Sequence, residues 1–380
     1  MAKERIVIGL YTGQAADGVD GVMVQITGSG AKMKVLQLHQ SYHPYDEGLH
    51  KRLVAAMDDI PTDPLIELDR DITDALVETA HAVFKLGGCK PEDVAAVGVS
   101  GQMIGRIPKD PKNKASMSYS VELGSPAYVA SRLHIPTVGQ FSQSDAGAGG
   151  CGGPITAWAD WLLFRDKQLS RVLVHLGGIV SLTQIGTNAH PLEVVAFDVG
   201  PGTMIIDAIT QELMGRPVDI DGAFADRGRP SASLLNELLA NPYFRMPAPK
   251  TTQRRDWGSG YLTRLKAMAE KHRVREEDVI ATATELVANT VVQGVKLLTE
   301  RPHEVILTGG GAKNIYLASR IRTLLSPSST VNSEKFGLGV RAKQAICMAV
   351  LAAARLDNEP IYCPFATGAK HAAQCGSISG

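Results

Sequence analysis

Three things are scarce in this chain of 380 residues, and each scarcity removes a class of answer. Cysteine occurs only at 89, 151, 347, 363 and 375, with no CxxC pair, so neither a zinc knuckle nor a disulfide framework is indicated and a reducing cytoplasm fits. Net charge is absent, because 39 basic residues balance 39 acidic ones. Nothing in that balance suggests a surface for nucleic acid or an anionic membrane, and small molecules are the expected partners. Long apolar runs are also missing. The run ending at Leu10 meets glycine and polar residues too soon for the apolar core of a secretory leader, and no stretch is long enough to cross a bilayer.

Glycine, by contrast, is plentiful and clustered at the ends of apolar runs. Arg5–Leu10 and Gly21–Ile26 read as buried strands around the turn segment YTGQAADGVD, and Val35–Tyr42 completes a meander. Gly13, Gln14, Asp17, Gly18 and Asp20 offer amides to a phosphate and carboxylates to magnesium through water; an ordinary hairpin turn is the competing reading. The plan then recurs. Arg171–Leu176, Gly177-Gly178 and Val180–Ile185 form a second strand, glycine turn and strand, followed by a strand over Glu193–Phe197 that runs into Asp198-Val-Gly-Pro-Gly-Thr203. Two such units about 170 residues apart suggest a duplicated α/β domain holding one ligand from both sides. In the second unit, Gly200 and Gly202 allow phosphate to approach, with Asp198 beside them and a helix N-terminus behind.

A third glycine turn, Gly309-Gly310-Gly311 followed by Asn314, ends the strand Glu304–Leu307 and leaves room for a base or ribose. Helical apolar spacing marks Glu67–Leu86, Asp278–Glu300 and the alanine-rich Arg341–Leu356 as core helices. The strand Val94–Ser100 leads to Gly101-Gln102, a polar turn at the strand edge where open α/β sheets bind ligands. The basic residues Lys250, Arg254 and Arg255 read as a solvated face. The chemistry is expected in the stretch GQFSQSDAGAGGCGGPITAW, as a loop in which Asp145 stands beside a run of glycines: a carboxylate base next to exposed amides.

Taken together and in order, these motifs resemble those of the anhydro-N-acetylmuramic acid kinase family, a branch of the actin, Hsp70 and sugar-kinase superfamily. GLYTGQAADGVD is similar to the family's GxMSGTSxDGxD, VHLGGIVSLT to NIGGIANxT, FDVGPGTMIID to FDxGPGNxLID, and LTGGGAKN to GGGAxN. SQSDAGAGGCGGPI resembles DxAxGGQGAPL, NPYFRMPAPKTT the PPKSTG region, and PFATGAKHAAQCG the terminal PSVTGA segment. The resemblance implies two actin-like (ribonuclease H-like) domains around a nucleotide cleft, residues 1–136 with 345–380 and residues 137–344, closing on ATP, Mg2+ and a 1,6-anhydro sugar. It implies a homodimer in the cytoplasm that serves peptidoglycan recycling.

On that mapping Asp145 is the catalytic base. Thr12, Gly13, Gln14, Ala15, Ala16, Asp17, Gly18 and Val19, with Gly177, Gly178, Gly200 and Gly202, face the phosphates. Gly309, Gly310, Gly311 and Asn314 take the nucleoside, and Asp17 and Asp198 reach the metal through water. Gln102, Gly149, Gly150 and Gln344 fall on the sugar side. That side departs from the pattern: Gln344 replaces an acid, Ser100-Gly101-Gln102-Met103 replaces HGQT, Gly105 stands where arginine is expected with Arg106 next to it, and Ser142, Gln143 and Ser144 occupy positions that are often basic. A lactyl carboxylate needs cationic or multiple N–H partners once desolvated. Another anhydro sugar such as levoglucosan, a simple sugar, or a non-catalytic ATP-binding sensor therefore stand as alternatives.

Overall fold

The computed structural model describes residues 4–58, 65–108, 113 and 116–380. Its strands are β1 (Glu4–Thr12), β2 (Gly18–Thr27), β3 (Lys34–Pro44), β4 (Val94–Ser100), β5 (Gln102–Ile107), β6 (Tyr119–Leu123) and β7 (Thr137–Gly139) in the first part of the chain. There follow β8 (Arg171–Leu176), β9 (Ile179–Ile185), β10 (Val195–Pro201), β11 (Glu304–Thr308), β12 (Ser329–Asn332) and β13 (Ser377–Ser379). One sheet runs β13-β7-β4-β1-β2-β3 and the other β10-β9-β8-β11-β12. In each, a three-strand antiparallel meander is extended from its first strand by two parallel strands. The same strand order twice is the duplicated α/β architecture that the repeated glycine turns suggest, and it matches the actin-like pair that the resemblance implies.

Both sheets are covered on both faces, which is why their central strands are apolar without interruption. On β1, alternate side chains face opposite layers: Val7 packs into the central layer, while Ile8 and Leu10 pack outward against the Leu65–Gly87 helix. Between the sheets lie two helices, Ala157–Phe164 and Ala342–Leu356, and the core there is shared by both sheets. The second helix is rich in alanine because it lies directly on β1 and β4. A Cβ on Gly9 would come within 1.7 Å of the Ala345 carbonyl oxygen, and one on Gly98 within 2.1 Å of that of Met348. Inside this layer a fully buried ion pair, Lys343 Nζ to Asp160 Oδ1 at 2.9 Å, joins the two helices, and Thr156 and Thr183 donate to the other oxygen. Removing one partner of such a pair costs about 3–5 kcal/mol.

Three boundaries differ from the sequence expectation for identifiable reasons. β10 begins at Val195 rather than Glu193, because Pro191–Glu193 closes a short turn in which the Glu193 carboxylate accepts from the His190 amide. It then continues past Phe197 to Pro201, pairing with β9 across a bulge between Asp198 and Gly200. Asp145 lies in a short helix, Phe141–Gly147, rather than in a loop. At the other expected break, β7 joins the first sheet just past residue 136, and the Ala342–Leu356 helix packs on that same sheet.

Candidate active site

The glycine turns converge at the strand ends between the two halves. The first turn, between β1 and β2, closes with the Ala16 amide on the Gly13 carbonyl at 3.0 Å and holds Ala16 at φ 55°. It touches the second-half turn directly: a Cβ on Gly178 would lie 2.5 Å from the Ala15 nitrogen. Gly202 and Thr203 donate to the Gly178 and Gly177 carbonyls at 2.7 and 2.9 Å, tying the β10 turn to the β8–β9 turn. Beside them, Gly310 is exposed, and a Cβ there would meet nothing closer than Arg341, at 3.5 Å. Some of these glycines are therefore packing requirements, while Gly310 faces open cleft. The Thr12 hydroxyl, buried at the end of β1, has no protein partner.

Asp145 is held by both carboxylate oxygens. The Gly152 amide donates to Oδ2 at 2.8 Å and the Thr367 hydroxyl to Oδ1 at 2.6 Å. Burial raises its pKa above the ordinary carboxylate value, opposed by the Thr367 and Gly152 hydrogen bonds and by Arg106. Gly150 is required beside it, since a Cβ there would sit 2.2 Å from the carboxylate. Arg106 then links this acid to a second one. Its guanidinium donates to the Gly152 carbonyl at 2.8 Å and to the Thr251 hydroxyl at 2.6 Å, and Thr251 donates to Asp198 Oδ2 at 2.7 Å. The Thr252 amide adds a bond to the same oxygen at 3.0 Å. A bulge in the β5–β6 ribbon between Met103 and Gly105 sets the register from which Arg106 reaches this position.

The basic stretch is not a solvated face, apart from exposed Arg255. Lys250 is buried beside Asp198, donates to the Tyr243 carbonyl at 2.9 Å and lies over the Tyr243 ring; burial lowers its pKa to about 8. Arg254 is buried as well, donating to the Gln14 carbonyl at 2.9 Å with Asp58 at 3.3 Å, so it struts the second half against the first-half turn. Composition suggested solvent because charge runs usually lie there; here the cleft supplies carboxylates and carbonyls for the charges.

Asp17 and Asp20 share Arg341, at 3.2 and 3.0 Å, and Arg341 stacks 3.7 Å over Tyr42, whose hydroxyl donates to the Asp17 backbone carbonyl at 2.8 Å. Asp207, in the helix after Gly202, is pushed up to about 8, first by burial and then by Asp17. Among the described residues no three acidic, histidine or cysteine side chains stand close enough to cage a metal. Magnesium typically takes one or two carboxylates and completes its shell with water and phosphate, so Asp17 and Asp207 fit such an ion. His175, between Tyr11 and Thr308, is kept neutral by burial.

Of the sugar-side candidates, Gln102 is fully buried, and its amide donates to the Gly13 carbonyl at 2.9 Å. Gln344 is buried and accepts from Lys343; on the nucleoside side, Asn314 caps a helix by accepting from the Leu317 amide. Gly149 packs on the Lys370 side chain. Sequence reasoning did not single out Thr251, Thr367 or Asp207. All three lie in segments quoted for the resemblance, KTT, ATG and the end of FDVGPGTMIID, and KTT was otherwise read only for its charge.

The family model for anhydro-N-acetylmuramic acid kinase matches residues 5–380. The chain belongs to the anhydro-N-acetylmuramic acid kinase family. An anhydro-N-acetylmuramic acid kinase of Salinibacter ruber is 36% identical over 388 aligned positions, covering 99% of this chain and 96% of that protein. One of Gloeobacter violaceus is 34% identical over 376, covering 98% of each. Membership in the family fits an alignment that spans the glycine turns and the Asp145 segment alike.

Proposed function

We propose that the protein is an ATP-dependent kinase of 1,6-anhydro-N-acetylmuramic acid, acting in peptidoglycan recycling. The observation that carries the reading is Asp145, a carboxylate held by both oxygens beside the cleft into which the glycine turns face. In a 1,6-anhydro sugar O6 is tied to C1 and carries no hydrogen. Asp145 takes a proton from water as the water oxygen attacks C1, and the C1–O6 bond breaks. O6 attacks the γ-phosphorus of ATP, ADP leaves, and the product is a 6-phosphate with a free C1 hydroxyl. Proximity and fixed charge supply most of such a reaction.

The phosphates lie against Thr12–Val19, Gly177–Gly178 and Gly200–Gly202, with the orphan Thr12 hydroxyl available to them. The nucleoside lies on the open side of Gly309–Gly311. Asp17 and Asp207 would hold magnesium, which would neutralise phosphate charge, and Asp198, with Arg106 and Lys250 already beside its carboxylate, would act on it through water. Two bodies close on the ligands, residues 1–136 with 345–380 and residues 137–344, except that β7 (Thr137–Gly139) goes with the first, whose sheet it joins. The family resemblance is the support for a homodimer; five free cysteines support a reducing, cytoplasmic setting.

A second reading, a carboxylate-free anhydro sugar, is favoured by Glu122. This half-buried acid is pushed up to about 6 by desolvation, with Ser142 hydrogen-bonded to it and Arg106 nearby, so part of the local positive charge already has a partner. Coupled ADP release with magnesium-ATP against 1,6-anhydro-N-acetylmuramic acid, levoglucosan and glucose separates the cases. Turnover on the muramic sugar, reduced on the order of 10²–10⁴-fold in Asp145→Asn, is the expected outcome. Turnover only on levoglucosan or glucose would move the substrate, and ATP binding without sugar-stimulated ADP release would leave a nucleotide sensor.

A further inference from the structure

The chain's last segment does more than close the first sheet. β13 pairs with β7, and a bridge between Ile361 and Ala373 folds the residues before it into a loop. That loop grips the Asp145 segment at successive points. The Cys151 amide donates to the Thr367 carbonyl at 2.8 Å, the Lys370 amide to the Ala148 carbonyl at 2.8 Å, and the Gly376 amide to the Ser144 hydroxyl at 3.0 Å. Thr367 acts on both sides of the carboxylate. Its hydroxyl donates to Oδ1, and its carbonyl holds Cys151, the residue directly before the Gly152 amide that serves Oδ2. The hydroxyl is itself aimed, because it accepts the Ala369 amide at 3.4 Å and so presents its hydrogen to Asp145.

The surroundings give that bond its weight. A small pocket flanks Asp145, and Ile155, Trp158, Ile361, Cys363 and Ala369 in its lining set apolar groups against one side of the carboxylate. An apolar wall favours the neutral acid, and hydrogen bonds to the charged form oppose it. We infer that Thr367 is a positioning residue for Asp145: it fixes which lone pair of the carboxylate faces the reacting water and keeps the group ionised at working pH. This rests on Asp145 acting as the base.

The test compares Thr367→Val, which keeps the shape and removes the hydroxyl, with Thr367→Ser, which keeps the hydroxyl. In the full-length protein with its best sugar, Val is expected to lower kcat about 10–100-fold, the effect of losing a hydrogen bond to a charged group. ATP affinity should stay within twofold. The acid limb of the pH profile should move towards higher pH, since the bond lost favours the carboxylate, and Ser should restore both rate and limb. In an Asp145→Asn background the Val substitution should have no further effect. A Val variant with the wild-type rate and limb would overturn the proposal while leaving the base intact; so would a Val variant that loses rate with its limb unmoved. If Val does not fold, Ser decides: a wild-type limb in Ser supports the proposal, and a shifted limb overturns it. Full activity in Asp145→Asn alone would instead remove the base itself.

Discussion

The two sides of the cleft are built from different materials. On the side proposed for the nucleotide the main chain does the work: turns at the ends of β1, β8, β10 and β11 meet through amides and carbonyls, and side chains are mostly missing where backbones touch. On the Asp145 side, side chains from β5, a short helix, the Thr251 segment and the C-terminal loop converge on two carboxylates. A main-chain site tolerates change in whatever its residues carry beyond Cβ. A side-chain site is altered by every substitution within it, so the proposed sugar site is where specificity is expected to reside.

The largest effect expected from breaking this contrast comes from glycine. A Cβ on Gly202 would lie 2.1 Å from the Gly177 carbonyl oxygen, so Gly202→Ala must push two turns apart. Overpacking of that kind costs about 1–3 kcal/mol, and the thermal midpoint should fall along with ATP affinity. Gly310→Ala has room, so stability should stay within about 0.5 kcal/mol while ATP affinity drops, provided the nucleotide lies against that face. Melting curves and nucleotide titrations of the pair decide it. Equal destabilisation would make both glycines packing residues, and unchanged affinity in Gly310→Ala would move the nucleoside elsewhere.

The same contrast explains what could be read from the sequence. A backbone site leaves a linear trace, because glycine must recur where strands end, and the repeated strand, turn and strand plan at 5–26 and 171–185 announced a fold in which the two sheets share one strand order. Asp145 was visible for the same reason: Gly150 and Gly152 had to stand beside it. Arg106 shows in the sequence only as the neighbour of a position where the resemblance expects arginine, and Thr251 and Thr367 leave no such trace, since they lie far apart in sequence and only the fold brings them to the carboxylates. The solvated-face reading of Lys250 and Arg254 fails because charge reads as solvent until a partner such as Asp198, Asp58 or the Gln14 carbonyl is known.

Arg106 sharpens the comparison at the next level. Its planar fork reaches the Gly152 carbonyl with one nitrogen and the Thr251 hydroxyl with the other, and so couples the supports of Asp145 and Asp198. A lysine ammonium in its place keeps the charge and cannot span both acceptors with the same geometry. Arg106→Lys is expected to lower kcat/KM for the sugar about 10–100-fold, the loss of one charge-assisted hydrogen bond, with ATP affinity within twofold. A matching loss of ATP affinity would show that the two sides are not separable.

The smallest effect concerns Lys250, and its sign can be worked out. Burial lowers its pKa from the ordinary 10.5 to about 8, with Asp198 pulling the other way. Below about pH 8 the ammonium is charged beside Asp198; above it the charge is lost, while Arg106 still offsets the carboxylate. The rate on the sugar should therefore fall only a few-fold through a basic limb near pH 8, in keeping with one cation lost of two. Lys250→Arg, which holds its charge, should carry that limb upward by more than a unit. Stability responds in the opposite sense: between about pH 8 and 10.5 the unfolded chain holds a proton that the folded protein has released, so this residue's contribution rises with pH across that window. Rate profiles of the two proteins and a pH series of denaturant midpoints measure both signs. An unmoved basic limb in Lys250→Arg would assign the limb to another group and leave Lys250 as a buried strut between Tyr243 and Asp198.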